Sequence, residues 1–456
     1  MKAHLLGLAG LMTSGLITSG VLLACVPAQA QQGATSADET DPAMLDWMDG
    51  SPPPKDKLVR HGDGSYYTFP RTRWAFSNMR SLFPTINLWR GEAPASVLPV
   101  KLRDDLAAVT FLPLGSDNAA NNNGAVNNTM RWDEALQASY ADAVVVLHRG
   151  AIVYERYSGV TARHTPHMSF SMTKSYYGTL AAMLVAEGAL DEDQVIGHYI
   201  PELADSGFGD ATVRQVLDMT TSIQYSEDYT DPAADVFAFA LAGEIFPRPQ
   251  GYQGPDGFYA YLPTLNKLGR HGTRFAYKSV NTEVLGWLIG RVTGRNPVEV
   301  LQQRIWGKLG AEEDAYILVD GHGTGWAAGG MNATARDHAR FGEMMRMGGR
   351  FNRQQIVPEA VVDRISRGGS TSDFAGAGYT TLPGWSYRDQ WWVDHGSGVF
   401  AARGVHGQTI YIDSASEMVI VRLASHPMAA NANIDPVSLP AYRAIAHRLQ
   451  HDQHTE

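Results

Sequence analysis

The chain has 456 residues, a single cysteine, 44% hydrophobic and 18% charged residues, and a formal net charge of −10 at pH 7. That length calls for one large unit or two closely joined ones, and the composition is that of a folded globular protein. The absence of any basic patch excludes nucleic acid as an expected partner, and Cys25 alone excludes an internal disulfide.

At the N-terminus, "MKAH" is a short basic start, followed by the apolar "LLGLAGLMTSGLITSGVLLACV" and then Ala28-Gln29-Ala30. This order predicts a signal peptide over residues 1–30 and a periplasmic or secreted protein. The competing reading is a membrane anchor, which the small-residue site directly behind the run disfavours. "LLAC" also allows a lipoprotein anchored through Cys25. No other apolar run is long enough to span a bilayer, so no integral span is expected after cleavage.

Residues 31–130 read as three pieces: a disordered leader ("QQGATSADETDP"), an ordered but irregular segment over 44–100 and an Asn-rich loop over 115–129. The main domain then runs over 131–456. "AVVVLHRGAIVYERYSG" predicts a hairpin turning at Arg149-Gly150. A helix follows, with Tyr177, Leu180, Ala181 and Leu184 on one buried face and an end near Gly188. Further helices are expected at "TVRQVLDMTTS", "NTEVLGWLIGRVTG" (capped by Asn281), "NPVEVLQQRIWGKLG" (Asn296 cap, Pro297 first turn), "TARDHARFGEMMRM" (cap at Asn332 or Thr334), "PEAVVDRISRG" and "PAYRAIAHRLQ". Strands return in "QTIYIDSASEMVIVRLAS". Strands at both chain ends with helices between them predict an α+β fold. Its mainly antiparallel sheet is flanked by helices, with a helical insertion at about 190–330.

Several chemistries lack their motifs. There is no H-E-x-x-H, C-x-x-C, Walker A or G-x-S-x-G. His164 and His167 are near enough in sequence to share a metal, but such a pair is more often surface polarity, and no metal or cofactor is expected. Gly323-x-Gly325-x-x-Ala328 imitates a dinucleotide fingerprint without the parallel βαβ repeats that such a site needs.

Ser171-Met172-Thr173-Lys174 carries more. Residues three apart share a helix face, so the Ser171 hydroxyl and Lys174 ammonium can meet there. A serine needs a base, and a lysine buried at a helix N-terminus can become one. The plain alternative is a polar helix start. Tyr277, in "RFAYKSVNTEVLG", can act as general base and acid if the lysine charge eases its ionisation, or can simply pack at a helix entry. "AARGVHGQTIYID" puts glycines before a strand, where a backbone N–H can complete an oxyanion hole.

In this order, the S-x-x-K, the Tyr277-Lys278-Ser279 triplet and the strand around Gly404-Val405 resemble the serine β-lactamase and penicillin-binding-protein superfamily, in its class C and esterase-like branch. "DWMDGSPPPKDK", "RWAFSNMR", "PTINLWRG", "SEDYTDP" and "GVHGQ" are similar to the 6-aminohexanoate-dimer (nylon-oligomer) hydrolase subgroup, from about residue 44 onward. The resemblance implies a β-lactamase/DD-peptidase-like fold and a serine hydrolase that cleaves small amides or esters through an acyl-enzyme on Ser171. Lys174 and Tyr277 would be catalytic, and the Ser171 and Val405 amides would form the oxyanion hole. Tyr229, Ser279, Trp391 (or Trp392) and His406 would bind substrate, and Ser169 and Ser175 would be bystanders. Ala402-Arg403-Gly404 replaces the superfamily's K-T-G, and Ser279 replaces its usual asparagine. Both departures argue against a true β-lactamase or DD-peptidase, which stays the first rival. A silent ligand-binding or sensor protein on the same scaffold is the second.

Overall fold

The computed structural model describes residues 35–116 and 128–451. The expected signal peptide, Cys25 and most of the Asn-rich stretch lie outside them.

The main sheet has seven strands, all antiparallel. In chain order they are β1 (Ala141–His148), β2 (Ala151–Tyr157), β3 (Trp385–Arg388), β4 (Trp391–Asp394), β5 (Val399–Gly404), β6 (Gln408–Asp413) and β7 (Met418–Ala424). Across the sheet they run β3-β4-β5-β6-β7-β1-β2, so β7 from the C-terminal part pairs with β1, Ile420 opposite Val146. The β1–β2 turn is the expected one. Arg149 and Gly150 both have positive φ, 52° and 75°, which matches a right-twisted two-residue hairpin.

Alternation along these strands feeds two cores. Val145, Leu147, Val419 and Val421 join one core with helix α1 (Met172–Ala186) and lie against the helix Ala335–Arg346, while Val144, Val146, Ile420 and Tyr411 share the other core with residues of the C-terminal helix such as Tyr442 and Ile445. The three further helices that matter below are α2 (Val280–Thr293), α3 (Ala335–Arg346) and α4 (Asp435–His451). α1 has no polar face: every residue from Met172 to Leu184 is buried, wider than the expected stripe. α4 starts earlier than its sequence pattern shows and carries Pro440 inside it.

A second, four-stranded antiparallel sheet was not legible. It joins Thr85–Leu88, Ala315–Leu318, Met331–Ala333 and His167–Met168, pieces too short and scattered for a period-2 signal. The Ala315–Leu318 strand returns antiparallel as Met331–Ala333, with a turn at Asp320–Thr324 between them. That topology removes the dinucleotide reading of Gly323–Ala328.

Local corrections have simple causes. Thr334, not Asn332, caps α3 by accepting the Asp337 amide. Asn281 lies inside the first turn of α2, where its side chain accepts from the Thr221 hydroxyl at 2.7 Å; Ser279 is the residue that precedes the helix. Asn296 caps as expected. Residues 36–42, expected within a disordered leader, form turns fastened to the body: Thr40 is buried and its hydroxyl accepts from Arg73. Among the described residues, no helix is long and apolar enough to cross a membrane.

Candidate active site

Ser171 immediately precedes α1, and Phe170 before it has φ 44°, a left-handed conformation that costs a non-glycine residue about 1–2 kcal/mol. The Phe170 ring is locked by aromatic neighbours, Phe76 at 4.9 Å, His406 at 5.4 Å and Tyr67 at 6.3 Å between centroids. The strained turn is thus fixed from behind, and it points Ser171 forward, 8% exposed where its neighbours are nearly sealed.

Lys174 Nζ donates to Ser171 Oγ at 2.8 Å and to the Ala328 carbonyl at 2.7 Å, and stands 5.2 Å from the centre of the Tyr277 ring. Burial pulls Lys174 down to about 8, against the opposing pull of Glu227 and Glu283. About a tenth is therefore neutral amine at pH 7, and about half at pH 8, able to accept the serine proton. Tyr277 differs from expectation. Burial, and then the Glu227 carboxylate, push its phenol well above the usual range, while a hydrogen bond with Ser171 works the other way. It is a neutral phenol, suited to give a proton rather than take the first one. Its ring stacks on Trp392 at 5.4 Å and 28°.

Glu227 organises the remaining side. Its Oε1 accepts from the hydroxyls of Tyr229 at 2.7 Å and Ser279 at 2.6 Å, and its Oε2 accepts from the Ser279 amide at 2.6 Å. Tyr229 and Ser279 are therefore held together by one carboxylate, that of Glu227 in "SEDYTDP", which has no separate signal in the sequence. Glu283, in the first turn of α2, is fully buried and accepts from the Ala328 amide at 2.7 Å. Its only signal in the sequence is its place as the lone acid of "NTEVLGWLIGRVTG", directly before the apolar "VLGWLIG".

Two expectations are corrected. Trp391 points into the core: it is fully buried, its indole N–H donates to Thr179 Oγ1 at 3.0 Å, and it packs on Phe341 and Phe400. Trp392, one residue on and on the opposite face of β4, is the tryptophan at the site. His406 is 5% exposed, with Nδ1–H facing the His426 carbonyl at 2.7 Å and Nε2 facing the Tyr67 hydroxyl at 2.9 Å. Burial pulls it down to about 4, so it is neutral and supports the Phe170 turn rather than reaching a substrate.

Other candidates are used elsewhere. Ser169 Oγ pairs with His338 Nε2 at 2.8 Å, and Ser175 Oγ donates to the Gln390 carbonyl at 2.8 Å. His164 is exposed against Glu313, while His167 is buried against Asp142. Among the described residues, no cluster of three or more His, Cys, Asp or Glu could hold a metal. Arg403, next to Ala402 at the lysine position of K-T-G, pairs with Asp435 and lies 5.4 Å from the Trp392 ring. On the other flank, Gly404 presses on the serine: a Cβ there would stand 3.1 Å from the Ser171 amide nitrogen and 2.6 Å from the Ser169 carbonyl.

The Beta-lactamase family model matches residues 131–435, about two thirds of the chain. The chain belongs to the β-lactamase family. A 6-aminohexanoate-dimer hydrolase of Paenarthrobacter ureafaciens is 36% identical over 365 residues, covering 80% of this chain and 88% of that protein. A solved Bacillus anthracis structure, provisionally described as a 6-aminohexanoate-dimer hydrolase, matches at TM-score 0.77 and 30% identity, covering 88% of this chain and 99% of that one. A D-stereospecific amidohydrolase from Streptomyces shares the fold at TM-score 0.52 and 17% identity, covering 66% and 96% of the two chains. This β-lactamase-family chain is a serine hydrolase acting on amide or ester bonds.

Proposed function

We propose that the protein hydrolyses small linear amides or esters, in the manner of 6-aminohexanoate-dimer hydrolases, through an acyl-enzyme on Ser171. The observation that carries this reading is the 2.8 Å contact between Ser171 Oγ and a lysine that burial has drawn down to about 8. Neutral Lys174 takes the Ser171 proton as Oγ attacks the carbonyl. The Ser171 amide, at the N-terminus of α1, and the Val405 amide, next to Gly404, hold the oxyanion. One such donor contributes about 3 kcal/mol. Tyr277, a neutral phenol bonded to Ser171, protonates the leaving amine or alkoxide and recovers a proton from Lys174. Water then attacks the ester of Ser171 with the same pair reversed. Tyr229, Ser279 and Trp392 line the approach.

The ion pair of Arg403 with Asp435 favours this reading over a β-lactamase or DD-peptidase. Ala402 stands where K-T-G would place its lysine, and the neighbouring cation that could substitute, Arg403, already has a carboxylate. Initial rates on p-nitrophenyl acyl esters, the 6-aminohexanoate dimer and nitrocefin test the choice. Turnover of the ester and linear amide with nitrocefin at least a hundredfold slower is expected; comparable nitrocefin turnover contradicts it. The basic start, apolar run and Ala28-Gln29-Ala30 support export to the periplasm or the medium, with a mature chain beginning at Gln31, or a lipidated Cys25 as the alternative.

A further inference from the structure

Lys174 Nζ has two acceptors: Ser171 Oγ and the carbonyl of Ala328. The amide of that same Ala328 donates to Glu283 Oε1 at 2.7 Å. One residue of backbone therefore separates the lysine from a carboxyl group with no access to solvent. The other oxygen, Oε2, has no hydrogen bond of good geometry, the Ala327 amide acting on the carboxyl more weakly than that of Ala328, and the hydroxyl of buried Tyr177 has no partner among the described residues. Both border the loop that carries Ala328: a Cβ on Gly286, in α2, would meet the Ala327 Cβ at 3.0 Å and the Tyr259 hydroxyl at 3.7 Å, and one on Gly325 would meet the Tyr177 hydroxyl at 3.8 Å. A buried carboxyl with an idle oxygen is costly unless the site uses it. A glutamine would serve the Ala328 amide equally well without the charge.

We propose that Glu283 is a positioning residue for the hydrolysis: it aims the Ala328 carbonyl at Lys174, and in its ionised form it strengthens Lys174 as the base that deprotonates Ser171. The proposal rests on the assignment of Ser171 and Lys174 above. When Lys174 becomes an ammonium, the carboxylate behind it stabilises the new charge in a dry interior, where such a field acts strongly. The groups that face the pair are few. Lys174 meets Glu227 from the "SEDYTDP" loop, Tyr277 ahead of α2 and Glu283 within it. Glu283 meets Lys174, Asp320, Tyr177 and Tyr259. Burial pushes Glu283 up to about 8, where Lys174 also titrates, so the two share protons over one pH range.

Glu283→Gln separates charge from shape. Removing the carboxylate lowers the proton affinity of Lys174. The acid limb of kcat/KM on a p-nitrophenyl ester is expected to move by roughly one pH unit to lower pH. The plateau is expected to fall roughly tenfold, because a weaker base takes the proton less readily. The rate of Ser171 labelling by a fluorophosphonate follows the same shift. A variant with native thermal stability whose pH profile overlays the native one, or moves to higher pH, overturns the proposal. If Glu283→Gln does not fold, Glu283→Asp carries the test: its charge keeps the limb in place, and a limb displaced to lower pH contradicts the role. Wild-type protein that is not labelled at Ser171 defeats the parent assignment instead, so the two failures are distinguishable.

Discussion

At the scale of single residues, the proposed mechanism divides proton work between two side chains that the sequence could name but not tune. The S-x-x-K spacing and Tyr277 were legible because helix geometry alone puts Ser171 and Lys174 on one face. What three-residue spacing does not contain is the environment. Lys174 is drawn down to about 8 by burial, whereas the Tyr277 phenol is driven up by burial and by Glu227. Since Lys174 accepts only when neutral, kcat/KM is expected to rise with pH through about 8 and then level. A steady-state pH profile on a p-nitrophenyl ester checks this, and a limb centred near the carboxylate range would contradict it. Tyr277→Phe keeps the Trp392 stack but removes the acid, so a loss of roughly 10²–10⁴ in kcat with near-native thermal stability is expected. The Trp391 error also comes from what local spacing leaves out. Two adjacent tryptophans on a strand face opposite ways, and the sequence does not say which face is the site until the register of β4 is known.

At the scale of elements, the site is a meeting of the N-terminus of α1, the entry to α2 and the end of β5. Both helices and the Arg149-Gly150 hairpin showed in sequence because long periodic segments and turn residues give local signals. The second sheet and the strands β3 and β4 did not, and β5 showed only at its Gly404 end, because short strands gain their stability from non-local partners. Gly404 shows why close approach matters. Any side chain there intrudes between β5 and the Ser171 turn, with a Cβ 2.6 Å from the Ser169 carbonyl. Gly404→Ala is expected to cut kcat by about 10²-fold through a displaced oxyanion hole, and to lower the melting temperature by a few degrees because the new Cβ meets backbone. Equal activity would show that Val405 has no such role.

At the scale of the whole molecule, strands from both ends of the main domain close one sheet, and the helices between them deliver α2 and the Ala328 loop to α1. The cost of so dense an interior is buried titratable groups. His338, between Ser169 and Tyr176, is pulled down to about 3, first by burial and then by His167; His406 is pulled down to about 4 by burial. A histidine whose pKa is lower folded than unfolded stabilises the protein fully above about 6.5 and loses that contribution as pH falls. Melting temperature is therefore expected to fall from about pH 6.5 toward pH 4. His338→Gln should start lower at neutral pH and fall less steeply; a slope unchanged in His338→Gln would place the acid sensitivity elsewhere.

The central claim is that Ser171, and not the neighbouring Ser169 or Ser175, forms the covalent intermediate. Intact-mass and peptide mass spectrometry of the full protein after fluorophosphonate treatment test it most directly. One adduct per chain, mapped to Ser171 and absent from Ser171→Ala together with hydrolysis, is the result expected. An adduct on another serine, or full activity in Ser171→Ala, would contradict it.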